Sequence, residues 1–355
     1  MTVLLHSTGR PVIAVTGASA GVGRATAVAF ARRGWAVALL ARGEDRLRSA
    51  AAEVEEVGGR ALVFPADVAD AGAVSAAADA AVAAWGRLDV WVNNAMATVF
   101  APADETTPEE FRRVAEVTYL GQVHGTLAAL RPMRRQGHGT VVQVGSALAY
   151  RSIPLQSAYC AAKAAVRGFT DSLRSELIHA GSPIRLTMVH LPAIDTPQFE
   201  WARSRLPRRL QPVPPIHEPE AAAEAIYRAA REAPRELWVG GATVKAVLGT
   251  MAAPGLLDRL MARRAWDGQM TDEPASARPD NLFAPAEGDW GARGRFARVS
   301  KPRAAAMPAG LVRALVAAGG LGLVGLAAYA ARRRAKAPRV PEPSPSRRIQ
   351  ASGTR

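Results

Sequence analysis

Apolar residues in the first two-thirds of the chain form short runs that alternate with longer segments of helical period. The runs predict strands at 11–17, 36–41, 61–65, 88–93, 140–145, 184–191 and 237–240. The segments between them predict helices at 22–33, 45–57, 71–85, 108–135, 156–180 and 219–230. Apolar strands that alternate with helices are typical of a parallel sheet covered on both faces. Right-handed crossovers then predict an α/β fold with a doubly wound, Rossmann-like parallel sheet of about seven strands.

The pattern changes after residue 245 and divides the chain into four parts. Residues 1–245 form the α/β domain, and 246–308 form an extension with one amphipathic helix at 256–266. The rest of the extension is rich in Pro, Gly, Ala and Arg, which predicts a linker or a segment wrapped over the surface. Residues 309–334 predict a C-terminal apolar helix. Residues 335–355, rich in Pro, Ser and Arg, predict a disordered basic tail.

The apolar helix is a candidate membrane segment. Residues 314–331 are uncharged and lie between Arg313 and the three arginines at 332–334. At 1.5 Å per residue this stretch extends about 27 Å, close to the thickness of a hydrocarbon core. Its Ala and Gly content leaves three alternatives open: a membrane span, an interfacial helix or a buried Ala-rich helix. Taken together, the length and the flanking arginines favour membrane association.

Charge and cysteine content narrow the choice of partners. The formal net charge is +14; residues 293–355 hold 14 basic residues and one acidic residue, a net of +13, which leaves +1 for the remainder. Such a tail suits anionic lipid headgroups as well as phosphate backbones; a nucleic-acid tether is the competing hypothesis, and we expect no nucleic-acid partner. The single cysteine, Cys160, has no partner within the chain, which fits a reducing compartment.

The first candidate site is a glycine-rich turn between the first predicted strand and the first predicted helix, with glycines at 17, 21 and 23. Glycines there allow a tight turn and let the backbone approach a pyrophosphate, while the helix N-terminus offers unpaired N–H groups. The alternative is a turn with no function. The predicted dinucleotide contacts are Gly17, Ser19, Gly21, Val22 and Gly23.

Arg42 indicates which dinucleotide is bound. NAD-binding proteins of this fold place an acidic residue at the end of the second strand, where it binds the ribose 2′-hydroxyl. This chain has Ala41 followed by Arg42, which supplies a charged donor for a 2′-phosphate. A solvated arginine at a helix start is the simpler alternative. The sequence therefore favours NADP(H), with NAD(H) as the second choice.

The third candidate site combines a tyrosine, a lysine and a serine. Tyr159 and Lys163 are four residues apart in a predicted helix, so their side chains lie on one face. A nearby cation lowers the pKa of a phenol, as a general acid for a carbonyl oxygen requires. Ser146 ends a predicted strand at the same sheet edge as Arg42 and the glycine-rich turn. Their convergence on one crevice predicts an active site.

These motifs resemble the short-chain dehydrogenase/reductase family over about residues 8–245. The matching positions, in family order and spacing, are Thr16-Gly17-x3-Gly21-x-Gly23, Ala66-Asp67-Val68, Asn93-Asn94-Ala95, Ser146 and Tyr159-x3-Lys163. The resemblance makes residues 1–245 a dinucleotide-binding catalytic domain. Because family members are often dimers or tetramers, it also implies a homo-oligomer.

The resemblance further implies a role for each matching residue. Tyr159 would transfer the proton, Lys163 would hold the nicotinamide ribose, and Ser146 would orient the substrate oxygen. The implied cofactor contacts beyond the glycine-rich turn are Asp67 and Val68 at the adenine, Asn94 and Ala95 along the cofactor, and Thr196 at the nicotinamide carboxamide.

Three positions depart from the family pattern. Met96 follows Asn93-Asn94-Ala95 where the family has glycine, and Ala193 follows Pro192 where the family has Pro-Gly. Thr118 aligns with the helix asparagine that supports a proton-relay water. Since Thr118 keeps a hydroxyl that can hold water, we include it among the catalytic residues and expect an altered relay in an active enzyme.

Histidines and aromatic residues add little chemistry. The six histidines have no metal-ligand spacing, so we expect no metal. Phe199 and Trp201 lie in the family's variable substrate lid, where they would either pack on an apolar substrate or fasten the lid to the core.

Together these inferences predict reversible hydride transfer between NADP(H) and a carbonyl or alcohol substrate, which includes lipophilic ones. The alternative is a catalytically weak nucleotide-binding sensor or scaffold of the same fold, tethered to a membrane. NADP(H) use and an N-terminus without a secretory signal predict a cytoplasmic body. If residues 309–334 associate with a membrane, we expect them to attach the catalytic body to the inner face of the cell membrane.

Overall fold

A computed structural model describes residues 9–318 of the chain. The predicted tail at 335–355 and the apolar segment beyond residue 318 lie outside these residues. Within 9–318, no helix combines the length and the apolar character needed to cross a membrane. Residues 309–318, the first part of the predicted apolar helix, are helical. The chain up to Ala309 forms one compact unit, and 310–355 belong to a second.

The elements follow the predicted order. The strands are β1 Val12–Thr16, β2 Ala36–Ala41, β3 Arg60–Pro65, β4 Val90–Asn93, β5 Val99–Phe100, β6 Thr140–Ser146, β7 Arg185–Leu191, β8 Ala193–Ile194, β9 Arg203–Ser204, β10 Arg208–Leu210, β11 Ile216–His217, β12 Glu236–Val239, β13 Met270–Pro274 and β14 Ala306–Pro308. The α-helices are α1 Gly21–Ala31, α2 Glu44–Glu56, α3 Ala71–Trp85, α4 Pro108–Ala115, α5 Gly121–Gln136, α6 Ser157–His179, α7 Gln198–Trp201, α8 Pro219–Glu232, α9 Gly240–Ala252 and α10 Pro254–Asp267. Short 3₁₀ turns occupy Ala103–Glu105 and Ala147–Ala149.

Eight strands form the central sheet in the order β14-β12-β7-β6-β4-β1-β2-β3. The seven predicted strands are all present and parallel, which confirms the doubly wound α/β fold. The eighth, β14, pairs antiparallel with β12 at the edge. Sequence patterns could not assign β14, because it is a short edge strand in a segment without periodicity.

The sheet is buried on both faces, as strand β1 illustrates. Val12 and Ala14 belong to one hydrophobic cluster, and the alternate residues Ile13 and Val15 belong to the other. Successive side chains of a strand point to opposite faces, so each face of the sheet contributes to a separate core layer. Because both faces of the sheet are covered, a binding crevice is expected at the carboxyl ends of the parallel strands.

The helix predicted over 108–135 is interrupted. A capping box at Thr107 and Glu110 starts α4, and a π-helical turn at Glu116–Leu120 separates α4 from α5. Single π turns inside helices occur frequently at functional sites. This turn lies beside the predicted catalytic crevice and carries Thr118.

The extension after residue 245 packs against the α/β domain. Helix α9 was not predicted, because its Gly- and Ala-rich sequence has no clear apolar stripe. Helix α10 covers the predicted helix at 256–266. Residues 275–305, called the strap below, then cross the protein and lead into β14. The sequence left open whether this segment is a linker or is wrapped over the surface, and the strap is wrapped over the surface.

Candidate functional site

A cavity of about 480 Å³ opens where β1, β2, β4, β6 and β7 end. The predicted site residues that line it are Gly17, Ser19, Gly21, Val22, Arg42, Asp67, Val68, Asn94, Ala95, Ser146, Tyr159, Lys163 and Thr196. Gly23 and Thr118 are predicted site residues that do not line it. The carboxyl edge of the sheet therefore gathers side chains that are up to 180 residues apart in the sequence.

The glycine-rich turn is shaped by close backbone contacts. Gly17 and Gly21 have positive φ angles of 66° and 58°, which other residues adopt only with strain. A Cβ on Gly23 would lie 2.2 Å from the Gly17 carbonyl oxygen, so only glycine allows helix α1 to start this close to the turn. Gly23 therefore supports the turn from behind. This explains why it does not itself reach the cavity.

The N-terminus of α1 leaves backbone donors for a ligand. No side chain caps this helix at Ala20. The Gly21 amide donates to the carbonyl oxygen of Gly291 in the strap, at 3.1 Å. The amides of Val22 and Gly23 have no acceptor among residues 9–318. Unpaired N–H groups at a helix N-terminus are a binding site for anions, and a pyrophosphate fits their position.

Two arginines face the same end of the cavity. Arg42 donates to the carbonyl oxygens of Asn281 (2.5 Å) and Phe283 (3.1 Å) in the strap. Arg46, one turn into α2, folds over Gly43 and also lines the cavity. Neither guanidinium forms an ion pair with a carboxylate among the described residues. Burial lowers the pKa of both groups, so an anion bound beside them would be stabilised.

Asp67 lies beyond the end of β3, on the same side of the cavity. Its carboxylate accepts from the guanidinium of Arg113 and from the backbone amide of Ala69 at 2.9 Å. Burial acts to raise the pKa of Asp67, but the hydrogen bonds from Arg113 and Ala69 and the charges of Arg113 and Arg42 together outweigh it, so the net shift is downward. Arg113 also donates to the Leu282 carbonyl oxygen at 3.0 Å. It thereby joins Asp67 to the strap.

Asn94 ties the glycine-rich turn to the end of β4. Its side-chain amide donates to the Thr16 carbonyl oxygen at 2.9 Å, and its backbone amide donates to the Thr16 hydroxyl at 2.9 Å. The amide of Ala95 donates to the same hydroxyl at 3.1 Å. Asn94 and Ala95 therefore fix the cavity floor by holding two parallel strand ends together.

The tyrosine, the lysine and the serine converge at the other end of the cavity. Helix α6 begins at Ser157, which places Tyr159 and Lys163 in its first two turns. The Lys163 Nζ atom lies 5.7 Å from the centre of the Tyr159 ring and donates to the Val144 carbonyl oxygen at 2.6 Å. The Ser146 hydroxyl accepts from the Leu148 amide at 3.1 Å. These short contacts hold the side chains in fixed orientations.

Burial dominates the electrostatics of this trio. It raises the pKa of the Tyr159 phenol, and a hydrogen bond with Ser146 opposes the rise only in part. It lowers the pKa of the Lys163 ammonium to about 7, since the side chain is 1% exposed and has no carboxylate beside it. That Lys163 lowers the pKa of Tyr159 stays a prediction. Burial is the largest cause of the shift for both groups.

Thr118 is hydrogen-bonded through its side chain to the backbone of Ala97. Its hydroxyl donates to the Ala97 carbonyl oxygen and accepts from the Ala97 amide, both at 2.9 Å, and the residue is fully buried. Ala97 thus takes up the donor and one acceptor lone pair of this hydroxyl, which lies beneath the cavity wall; that Thr118 supports a relay water stays a prediction. From the π turn, Val117 reaches the cavity instead.

The remaining wall of the cavity is mostly apolar. Phe199 and Trp201 line it and also pack on other aromatic rings, with Phe199 6.0 Å from Phe296 and Trp201 5.6 Å from Trp290, measured between ring centres. These ring contacts fasten the lid, and that the same side chains pack on an apolar substrate stays a prediction. The other apolar wall residues include Met96, Leu148, Ile153, Val213 and Met261.

Polar groups on this wall are few. Gln156 donates to Gln269 at 2.7 Å, so the two amides satisfy each other in part. Thr243 is fully buried at the cavity, and its hydroxyl has no partner among the described residues. An unpaired buried hydroxyl is unfavourable unless a ligand or water completes it. Thr243 is therefore a candidate contact for a polar group of the substrate.

Sequence analysis missed two parts of this site. Arg46 has the spacing of an ordinary solvated arginine on α2, and only its fold over Gly43 brings it to the cavity. The strap residue Asn281 lines the cavity from a segment without periodicity. The strap is fixed by Asp289, which pairs with the buried Arg24 and accepts from Ser49. Arg24, a charged residue in an otherwise apolar predicted helix, was the one sequence signal that pointed to a contact with the strap.

In the part of the chain that the structure describes, no group of three or more His, Cys, Asp or Glu side chains is arranged to hold a metal ion.

Known proteins are similar to this chain in sequence and in fold. Residues 11–206 match the short chain dehydrogenase family. An uncharacterised oxidoreductase of Bacillus subtilis, YxnA, is 37% identical over 277 residues, which cover 77% of each chain. A solved short-chain dehydrogenase from Streptomyces avermitilis is 30% identical with a TM-score of 0.60, covering 72% of this chain and 100% of that one. An alcohol dehydrogenase from the archaeon Thermococcus sibiricus, complexed with 5-hydroxy-NADP, is 31% identical with a TM-score of 0.55, covering 64% and 95%.

Proposed function

This chain belongs to the short-chain dehydrogenase family and is an NAD(P)-dependent oxidoreductase, and from that premise we propose that it uses NADP(H) to interconvert an apolar ketone or aldehyde and its alcohol. One observation carries the proposal. Ser146, Tyr159 and Lys163 meet at one end of a cavity whose other end presents two arginines without carboxylate partners.

Proton transfer is the task of Tyr159. Its phenol is held neutral by burial, so in the reductive direction it donates a proton to the substrate oxygen, and in the oxidative direction it takes one up. Ser146 donates to the same oxygen and orients it. Lys163 lies behind the phenol, where its ammonium stabilises the phenolate that forms. When bound, NADP(H) supplies or accepts the hydride.

The cofactor phosphates would be held by backbone amides without acceptors and by guanidinium groups without carboxylate partners among the described residues. The amides of Val22 and Gly23 suit a pyrophosphate, and Asp67 with Val68 lines the space for adenine. Arg42 and Arg46 suit a 2′-phosphate, whereas a ribose 2′-hydroxyl would leave both guanidinium groups buried without an anion. This supports NADP(H) over NAD(H).

A panel of carbonyl compounds tests the proposed reaction. NADPH consumption is measured with ketones, aldehydes, steroids and lipid carbonyls, and a homologous series of aliphatic ketones is included. Because the wall is apolar, we expect kcat/KM to rise about three- to fourfold per added methylene until the cavity is filled. A chain that binds NADPH but consumes it with no member of the panel is a nucleotide-binding scaffold, and the proposal fails.

Arg46 provides the test of cofactor preference, since Arg42 also holds the strap and its removal affects more than the ligand. Losing one charge-assisted contact to a phosphate costs about 1.5–3 kcal/mol. We therefore expect Arg46→Ala to weaken NADPH binding about ten- to a hundredfold and NADH binding less than about threefold.

Fluorescence titration with each cofactor measures this difference. Arg48→Ala is the matched control, because Arg48 lies on the same helix and its side chain is exposed and paired with Glu44. It should leave both affinities unchanged. An equal loss of NADPH and NADH affinity in Arg46→Ala would place Arg46 away from the 2′-phosphate.

A further inference from the structure

Helices α9 and α10 present an exposed apolar tip. They meet at Ala253, with the Leu257 side chain packed near Gly249. Residues 251–256, called the tip below, contain no charged residue. Within the tip, Met251 is 71% exposed and Leu256 is 68% exposed. The other tip residues are small or are proline, so nothing covers these two side chains from within the helix pair.

The two helices that form the tip also carry exposed basic residues. On α10, Arg259 and Arg263 follow Leu256 by three and seven residues, so all three lie on one helix face. Arg264 and Lys245 are also exposed. None of these four cations forms an ion pair with a carboxylate among residues 9–318. The surface therefore carries positive charge that the protein does not neutralise.

The acidic residues of α10 do not offset this charge. Asp258 pairs with Arg151 at 2.6 Å, and Asp267 pairs with Arg208 at 3.2 Å. Both carboxylates are thus already matched by cations from other elements. Trp266, 41% exposed, lies ten residues after Leu256 and shares its helix face. Leucine, arginine and tryptophan on one exposed face are the composition of helices that lie in a membrane interface.

We propose that the α9–α10 pair docks on an anionic lipid bilayer, with the tip inserted among the acyl chains and the four cations at the headgroups. Exposed Met or Leu residues taken singly need no explanation. Here, however, they sit at the apex of a helix pair that also carries four exposed cations, unpaired within the described part of the chain. That arrangement matches the two layers of a membrane surface. Moving the apolar tip from water into the acyl chains is favourable, and so is placing the cations beside the headgroup phosphates.

Charge also argues against two other occupants. In a second copy of this chain, the same face would bring its own unpaired cations against Arg259 and Arg263. The chain's own apolar segment at 314–331 is likewise flanked by arginines, at 313 and 332–334. Both occupants would place like charges together, which is unfavourable. An anionic lipid surface is the partner of complementary charge.

The docking surface is continuous with the cavity. The inner faces of the same two helices contribute Ala242, Ala246 and Met261 to the cavity wall. A bilayer at the tip would therefore lie next to the proposed substrate site. The docking itself does not depend on the proposed reaction, and it can be measured without substrate or cofactor.

A fluorophore at the tip tests the proposal in the full chain. Met251→Cys is labelled with an environment-sensitive dye and mixed with vesicles of phosphatidylcholine alone or with phosphatidylglycerol. The native Cys160 is 2% exposed, and the unsubstituted chain treated in parallel reports any labelling there. We expect a blue shift of the dye emission with the anionic vesicles only. Ile178→Cys is the matched control, because Ile178 is 73% exposed and lies near the end of α6, just before the start of β7. A dye at this position should show no shift.

The cations are tested in the same assay. Replacing Arg259 and Arg263 together with glutamine should raise the lipid concentration for half-maximal shift by roughly tenfold or more, because each cation near an anionic surface contributes several-fold to binding. Vesicles that bind the protein without a shift at 251 would overturn the proposal in favour of the tail. A blue shift in the absence of lipid would also overturn the proposal. If that shift grows with protein concentration, a second copy of the chain covers the tip; if it is independent of concentration, the chain's own apolar segment covers it.

Discussion

Replacing Tyr159 with phenylalanine will lower kcat for carbonyl reduction by about 10²- to 10⁴-fold, the usual contribution of a positioned general acid. The substitution removes one hydroxyl and leaves the ring in place. The Ser146 hydroxyl keeps its hydrogen bond with the Leu148 amide, so the neighbourhood retains its geometry. No cofactor contact is removed, and we expect NADPH affinity to change by less than about threefold.

The comparison requires kcat and the NADPH dissociation constant from the same preparations. Tyr227→Phe serves as the control, since Tyr227 packs against Phe30 on α1 and does not line the cavity. Its kcat should equal that of the wild type. If Tyr159→Phe keeps more than about a tenth of the wild-type kcat, proton transfer runs through another group. Ser146 would then be the next residue to examine.

Burial raises the pKa of the Tyr159 phenol, so the phenol does not ionise readily. In the ligand-free protein the phenol is held neutral, and the lysine behind it is only half protonated near pH 7. The site is therefore prepared to donate a proton, and it requires added positive charge nearby before it can hold the phenolate.

The sheet and the grouping of Ser146, Tyr159 and Lys163 could be predicted from the sequence because their signals are local. Each strand is one apolar run, and the Tyr159–Lys163 spacing is fixed by a single helix. Strand ends of a parallel sheet lie at a common edge, so Ser146 and the glycine-rich turn could be assigned to one crevice without knowing any contact. The structure brings these side chains together as the pattern indicates.

The strap, Thr118 and Arg46 could not be predicted because their environment depends on distant contacts. The partner of Thr118 is the backbone of Ala97, which offers no side-chain signal. The position of the strap depends on pairs such as Asp289 with Arg24, 265 residues apart. Such pairs join segments that have no periodicity in common, so hydrophobic patterns do not report them.

Charge counting also misjudged part of the tail. Residues 293–355 together suggested a basic appendage, but Arg293 pairs with Glu218 and Glu220 in the α/β domain. Arg295 pairs with Glu200 at 2.9 Å. These two arginines neutralise acidic residues of the body and help to hold the strap. The cations available to an outside partner are therefore a different set, and those on α10 are among them.

Lys163→Met is expected to make the ligand-free protein more stable at neutral pH while it abolishes turnover. The folded protein binds a proton at Lys163 only up to about pH 7, whereas the unfolded chain binds it up to about pH 10. Between these values the unfolded state binds more protons, so raising the pH favours the folded state. Below pH 7, the wild type carries the full penalty of a buried ammonium, about 5 kcal/mol from the shift. Methionine fills similar space without charge, and Val144 keeps the hydrogen bond from Gln122.

Urea unfolding at pH 7, 8 and 9 without cofactor measures this effect. The free energy of unfolding of the wild type should rise relative to that of Lys163→Met by up to about 1.4 kcal/mol per pH unit, so the two curves converge as the pH increases. Lys245→Met, at an exposed lysine, should run parallel to the wild type. A Lys163→Met protein that is less stable than the wild type at pH 7, or that runs parallel to it, would mean that the ammonium is already neutralised in the fold. The proposed dependence of the Tyr159 phenolate on this lysine would then need a different electrostatic basis.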